Sequence, residues 1–125
     1  MTDTTNQPTI WIVNQAGHNY KKALELIPEA RISFLSTGNI NPLHFDRMID
    51  TFAQGIIRYV MPGDYLLISG TPPANAIAML LWMMHFGECK LLLWNAKLRK
   101  YKLVTTTNEH INSIIQSYID KGFHG

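Results

Sequence analysis

Apolar positions along this chain alternate between short β-branched runs and stretches of helical spacing, and the changes fall at clusters of glycine, proline and small polar residues. Thr9 to Asn14 (TIWIVN) is a run of the first kind, closed by Gln15, Ala16, Gly17, His18 and Asn19, and predicts a strand followed by a loop. Tyr20 to Leu26 is weakly helical and stopped by Pro28, after which Arg31 to Leu35 (RISFL) predicts a second strand ending in Ser36, Thr37, Gly38 and Asn39. From Pro42 to Val60 the positions Leu43, Phe45, Met48, Ile49, Phe52, Ile56, Ile57 and Tyr59 recur at helical spacing, with Asn41 as the expected cap and Pro42 in the first turn. Tyr65 to Ser69 (YLLIS) lacks alternation, as a strand buried on both faces does, and Thr71, Pro72 and Pro73 open a helix over 74–86. Lys90 to Trp94 (KLLLW) returns as a fourth strand. The chain then turns within 96–99 and comes back along Tyr101 to Thr105, and Asn108 is the expected cap of a last helix over 109–119.

Strand, helix and strand in this order predict an α/β fold: a Rossmann-like, mostly parallel sheet of about four strands plus an antiparallel edge strand, with helices on both faces. Residues 1–8 read as a flexible polar tail and 9–125 as a single domain, since 125 residues suffice for one core and not for two. The helix over 74–86 is apolar nearly all round and must be covered on more than one side. Its outer face, taken as Met79, Trp82, Met83 and Phe86, is the expected surface of a homodimer. That helix is shorter than the roughly 20 residues a bilayer requires, so no membrane span is expected.

Composition narrows the classes further. A single cysteine, Cys89, cannot form an internal disulfide and removes cysteine-rich zinc sites; it reads as a core thiol. No positively charged, apolar export signal opens the chain, which points to the cytoplasm. A net charge of +2 argues against a nucleic-acid partner, although Lys90, Lys97, Arg99, Lys100 and Lys102 gather on the expected hairpin with no acid among them. Those lysines suit a solvated edge strand that resists pairing with other sheets, or an anion partner.

The chemistry is expected at the carboxyl ends of the strands, where open α/β sheets bind ligands. The loops there are NQAGHN, STGN, SGTPPAN and WNAK, rich in small residues, hydroxyls and amides. Gly70 permits a tight strand-to-helix turn, Thr71 can cap the helix, and the helix start suits a phosphate or carboxylate. There is no GxGxxG and no Walker lysine, and Pro72 and Pro73 lack the N–H groups a phosphate would use. The candidate ligand-binding set is Gly17, His18, Thr37, Gly38, Ser69, Gly70, Thr71, Asn75, Asn95 and Lys97. No carboxylate falls in these loops, no GxSxG surrounds Ser36 or Ser69, and the histidines show no metal-ligand spacing, so neither a metal nor a cofactor is expected.

The segments DYLLISGTPPANAIAML and LLLWNAKLRKY resemble those of small uncharacterised α/β proteins carried by phages and mobile elements. In architecture alone the chain is similar to Rossmann-like sensor domains that bind nucleotide signals as dimers, which implies no particular residue roles. The residues favour a non-catalytic binding protein for a nucleotide or other phosphorylated small molecule. Two other classes fit the same residues: a module binding a host or partner protein through its apolar helix and basic hairpin, and a metal-independent nucleotide hydrolase with His18 as general base.

Overall fold

A computed structural model describes residues 7–17, 19–41 and 43–122. The expectations for the tail over 1–6, for His18 and for Pro42 as a first-turn proline lie outside the described residues. Strands β1 (Thr9–Ile12), β2 (Arg31–Phe34), β3 (Tyr65–Leu67), β4 (Glu88–Asn95) and β5 (Lys100–Thr107) form one sheet in the order β2-β1-β3-β4-β5. The β1–β2, β1–β3 and β3–β4 pairs are parallel and β4–β5 is antiparallel. This is the Rossmann-like α/β architecture. The order reverses between β1 and β3, because the chain leaves β1 toward β2 on one side and β3 toward β4 on the other.

Helices cover both faces. A 3-10 turn (Tyr20–Lys22) runs into α1 (Ala23–Leu26), which packs with Ile10, Ile12, Leu67, Leu92 and Tyr101. The opposite face takes α2 (Phe45–Tyr59) and α3 (Pro72–Phe86), whose Met48, Phe52, Ile56, Ala74, Ala78 and Trp82 join Val13, Leu66, Cys89 and Leu91. Alternation along β3 and β4 serves the two cores: Leu66 and Leu91 face one, Leu67 and Leu92 the other. Both faces of these strands are therefore apolar, which is why their sequence lacks a polar period.

The amino edge is held by Asp64, buried at the entry to β3. Its carboxylate accepts from Thr9 N at 3.0 Å, Trp11 Nε1 at 2.9 Å and Met61 N at 2.9 Å. Three donors replace the water this charge has lost, and they fasten β1 to the turn after α2.

Several boundaries differ from the sequence reading. Helix α2 begins at Phe45, three residues after Pro42, because Asn41 Oδ1 accepts from Leu43 N at 3.0 Å and closes a local turn instead of capping the helix. Thr71 occupies the N-cap of α3 but makes no side-chain capping bond. The cap of α4 (Asn108–Asp120) is Thr107, whose Oγ1 accepts from His110 N; Asn108 instead donates its N–H to Gly87 O and its Nδ2 to Met83 O. Gly87 ends α3 at φ 77, a left-handed conformation that glycine adopts without strain.

The expected outer face of α3 is also corrected. Trp82 is 2% exposed and Met83 is buried, with Met79 and Phe86 packed on the same core, so these residues line the interior. Leu80 and Met84 are the exposed large apolar residues on that helix, Met84 at 74%. Helix α2 lies alongside α3 and shares this core.

Cys89 is a core thiol on β4, and burial pushes its pKa up to about 12. The folded protein should resist a thiol reagent at mildly alkaline pH and react fully once unfolded in guanidinium. A raised folded-state pKa contributes stability that is complete below 9.0 and lost as pH climbs toward about 12. Thermal unfolding followed across that range should therefore show Cys89→Ser falling less steeply with pH than the parent.

Candidate functional site

Since β1 to β4 run parallel, their carboxyl ends share one rim. At its centre the loops after β1, β2 and β3 meet on Asn14. Asn14 Nδ2 donates to Gly38 O at 3.1 Å, and Ser36 Oγ lies 2.9 Å from Asn14 Oδ1 and 2.7 Å from Val13 O. Gly70 takes φ 94, and a Cβ placed on it would lie 3.0 Å from Asn14 Cβ. The glycine is thus required twice, by its backbone angle and by the close approach of the asparagine.

The loop after β3 is tied down from both sides. Ser69 Oγ shares a 2.8 Å hydrogen bond with Tyr20 OH, which also accepts from Ala16 N at 2.7 Å. Asn75 Oδ1 accepts from Ser69 N at 3.0 Å, and its Nδ2 donates to Gly70 O and Thr71 O. Its amide therefore braces the turn from within. Thr71 Oγ1 is buried without a partner among the described residues, which costs roughly 1–3 kcal/mol unless a donor or acceptor reaches it.

With the crevice between β1 and β3 closed in this way, open space at the rim lies on the β2 side. A cavity of about 250 Å³ sits between the loop after β2 and the first turns of α2, lined by Ser36, Thr37, Asn39, Asn41, His44 and Arg47 above Met48 and Phe52. Thr51 completes its polar wall. His44, at the N-cap, makes no side-chain bond to the first turn of α2, and Asp46 in that turn sets a carboxylate near the positive helix start. Arg47 has no ion-pair partner among the described residues, and Asp46, next to it, is not part of the cavity wall.

Of the residues singled out in the sequence, Thr37 lines this cavity and Gly38 adjoins it through Asn14. Ser69, Gly70, Thr71 and Asn75 form the braced loop beside it. Gly17 is an exposed turn at φ 77. Asn95 and Lys97 are remote from it: Asn95 Oδ1 accepts from Leu98 N to shape the hairpin turn, and β4 stands three strand spacings from β2, roughly 14 Å. Arg47, His44 and Asn14 were not among the sequence candidates. The signal for the first two was HFDR directly after a polar loop, which puts a histidine and an arginine one turn apart at a helix start.

Among the described residues no group of three histidine, cysteine, aspartate or glutamate side chains is arranged to hold a metal ion. None of their helices is long and apolar enough to cross a membrane. No family model, curated protein or solved structure matches this chain. Its class is accordingly defined by architecture and site, an α/β protein of Rossmann-like fold with a polar cavity on the carboxyl edge of its sheet.

Gly70→Ala should lower stability by roughly 1–3 kcal/mol through backbone strain and displacement of Asn14, while Gly38→Ala, with open space at its Cβ, meets only the backbone strain. Urea unfolding of the two variants, with the parent for reference, measures the difference.

Proposed function

We propose that the protein is a binding protein for a small phosphorylated ligand, a nucleotide or a sugar phosphate, held at the carboxyl edge with its anionic group between the loop after β2 and the start of α2. The observation that carries this reading is Arg47, without an ion-pair partner among the described residues, on the wall of a cavity whose other polar groups are hydroxyls, amides and the His44 imidazole. A guanidinium presents several donors in one plane and matches a phosphate two bonds at a time. Thr37, Asn39 and Thr51 add neutral donors.

Size supports a modest ligand. About 250 Å³ lies just below the roughly 300–1,000 Å³ of ordinary small-molecule sites, enough for a phosphate with a sugar or base and too little for a dinucleotide. Ser36 contributes shape more than recognition, because its hydroxyl proton is committed to Val13 O or Asn14 Oδ1. The cavity wall contains no carboxylate and no nucleophile paired with a base, which favours binding over turnover. The wall belongs to one chain, so a homodimer is compatible with this site without being needed by it.

Lys97 enters the reading only for a ligand long enough to span the rim. Isothermal titration with nucleoside monophosphates and sugar phosphates should show binding that Arg47→Ala weakens by roughly 1–3 kcal/mol, the value of a charge-assisted hydrogen bond. Lys102→Ala should leave affinity unchanged, and Lys97→Ala should matter only for the longer ligands. Equal binding by the parent and Arg47→Ala would remove the proposal.

A further inference from the structure

Helix α4 combines a pronounced amphipathic pattern with no buried residue. Ile111, Ile114, Ile115 and Ile119 follow the i, i+3, i+4, i+8 spacing of one helix face, yet stay between 37% and 51% exposed. The main neighbour of α4 is β5, the strand that leads into it, and Asn108 ties only its first residue to the end of α3. The isoleucines along the rest of the helix stay about half exposed. Such a stripe is the pattern of a helix that buries this face against something.

The layout of α4 identifies a second α4 as that partner. A twofold axis through Ile115 sets Ile115 against its own copy and Ile111 against Ile119, four residues to either side, so these three positions match themselves when the helices run antiparallel, with Ile114 beside them. Between Glu109 and Asp120 there is no charged side chain to be buried or repelled, the intervening polar residues being Asn112, Ser113, Gln116 and Ser117 besides His110 near the start. The same axis brings Glu109 of one helix to the end that carries Lys121 of the other, and Asp120 at that end is already engaged by Gln116 Nε2 at 2.9 Å. Opposed helix dipoles add to this arrangement.

We propose that the protein self-associates through an antiparallel α4–α4 pair centred on Ile115. A helix of 13 residues is about 20 Å long, and two such helices packed at 8–10 Å bury less than the roughly 800 Å² per partner of a standard interface. The dimer is therefore one that dissociates on dilution. It is independent of the ligand reading, since no residue of α4 lines the rim cavity.

Sedimentation equilibrium over a wide concentration range tests this, with site-directed crosslinking as a second readout. The parent should rise from 14.3 kDa toward twice that mass with concentration, and Ile115→Lys should remain at 14.3 kDa with an unchanged melting curve, because the residue contributes nothing to the monomer core. Under mild oxidation Ile115→Cys should form a disulfide-linked dimer, Ile111→Cys alone should not, and Ile111→Cys combined with Ile119→Cys should, as facing positions on the twofold require. Cys89 is buried and does not compete. A parent that stays at 14.3 kDa at every concentration, an Ile115→Lys variant that still dimerises, or crosslinking by Ile111→Cys alone but not by Ile115→Cys would each overturn the proposal.

Discussion

The carboxyl edge of this sheet depends on one buried amide. Asn14 follows β1 at the point where the chain connections diverge, and its two polar atoms and its Cβ engage the loops after β2 and β3. A buried amide is costly unless its groups are paired, so the loops must settle where they pair it. Gly38 supplies a carbonyl, Ser36 a hydroxyl, and Gly70 supplies space by having no side chain. Val13, one residue earlier, donates its N–H to Leu67 O, so the knot is anchored directly on the β1–β3 seam.

This arrangement has a chemical consequence. In doubly wound sheets the diverging connections leave a crevice that ligands enter. Here the crevice is filled by Asn14, Ser36, Ser69 and Tyr20, which hydrogen-bond to one another and to the loop backbones. The open volume lies at the flank, between the loop after β2 and α2, where Arg47 stands on the wall. The centre of the rim is thus a hydrogen-bonded shoulder beside the cavity.

The two sides of the sheet are unevenly finished. Edge strand β5 carries Lys100 and Lys102, whose charges discourage pairing with foreign strands. Lys22 on the first 3-10 turn reaches across to Arg99 O at 3.3 Å and lies over the Trp94 ring, so the hairpin is braced against the α1 side of the domain. Beyond β5 the helix α4 has no comparable support. Its isoleucines give this end of the molecule a surface chemistry quite unlike the hydroxyls and amides of the rim, and the two lie on different elements of the chain.

Local sequence determined the alternation of strands and helices, the buried character of β3 and β4, the hairpin and the thiol environment of Cys89. These follow from periodicity and from turn residues acting over a few positions, which need no knowledge of distant neighbours. Thr37 and the polar loop after β2 were legible for the same reason. Helix starts were read less well: Asn41, Thr71 and Asn108 each have a side chain able to cap, and only the tertiary contacts decided that Asn41 closes a turn, that Thr71 Oγ1 finds no partner among the described residues and that Thr107 caps in place of Asn108. The face of α3 that meets the core was equally undetermined, because a helix apolar all round carries no direction of its own. The same holds for the site: Arg47 became its charged wall, and Asn75 a brace within its own loop, only when folding brought segments far apart in the chain to one edge, and hydrogen-bond pairing between such segments has no signature in the sequence of either.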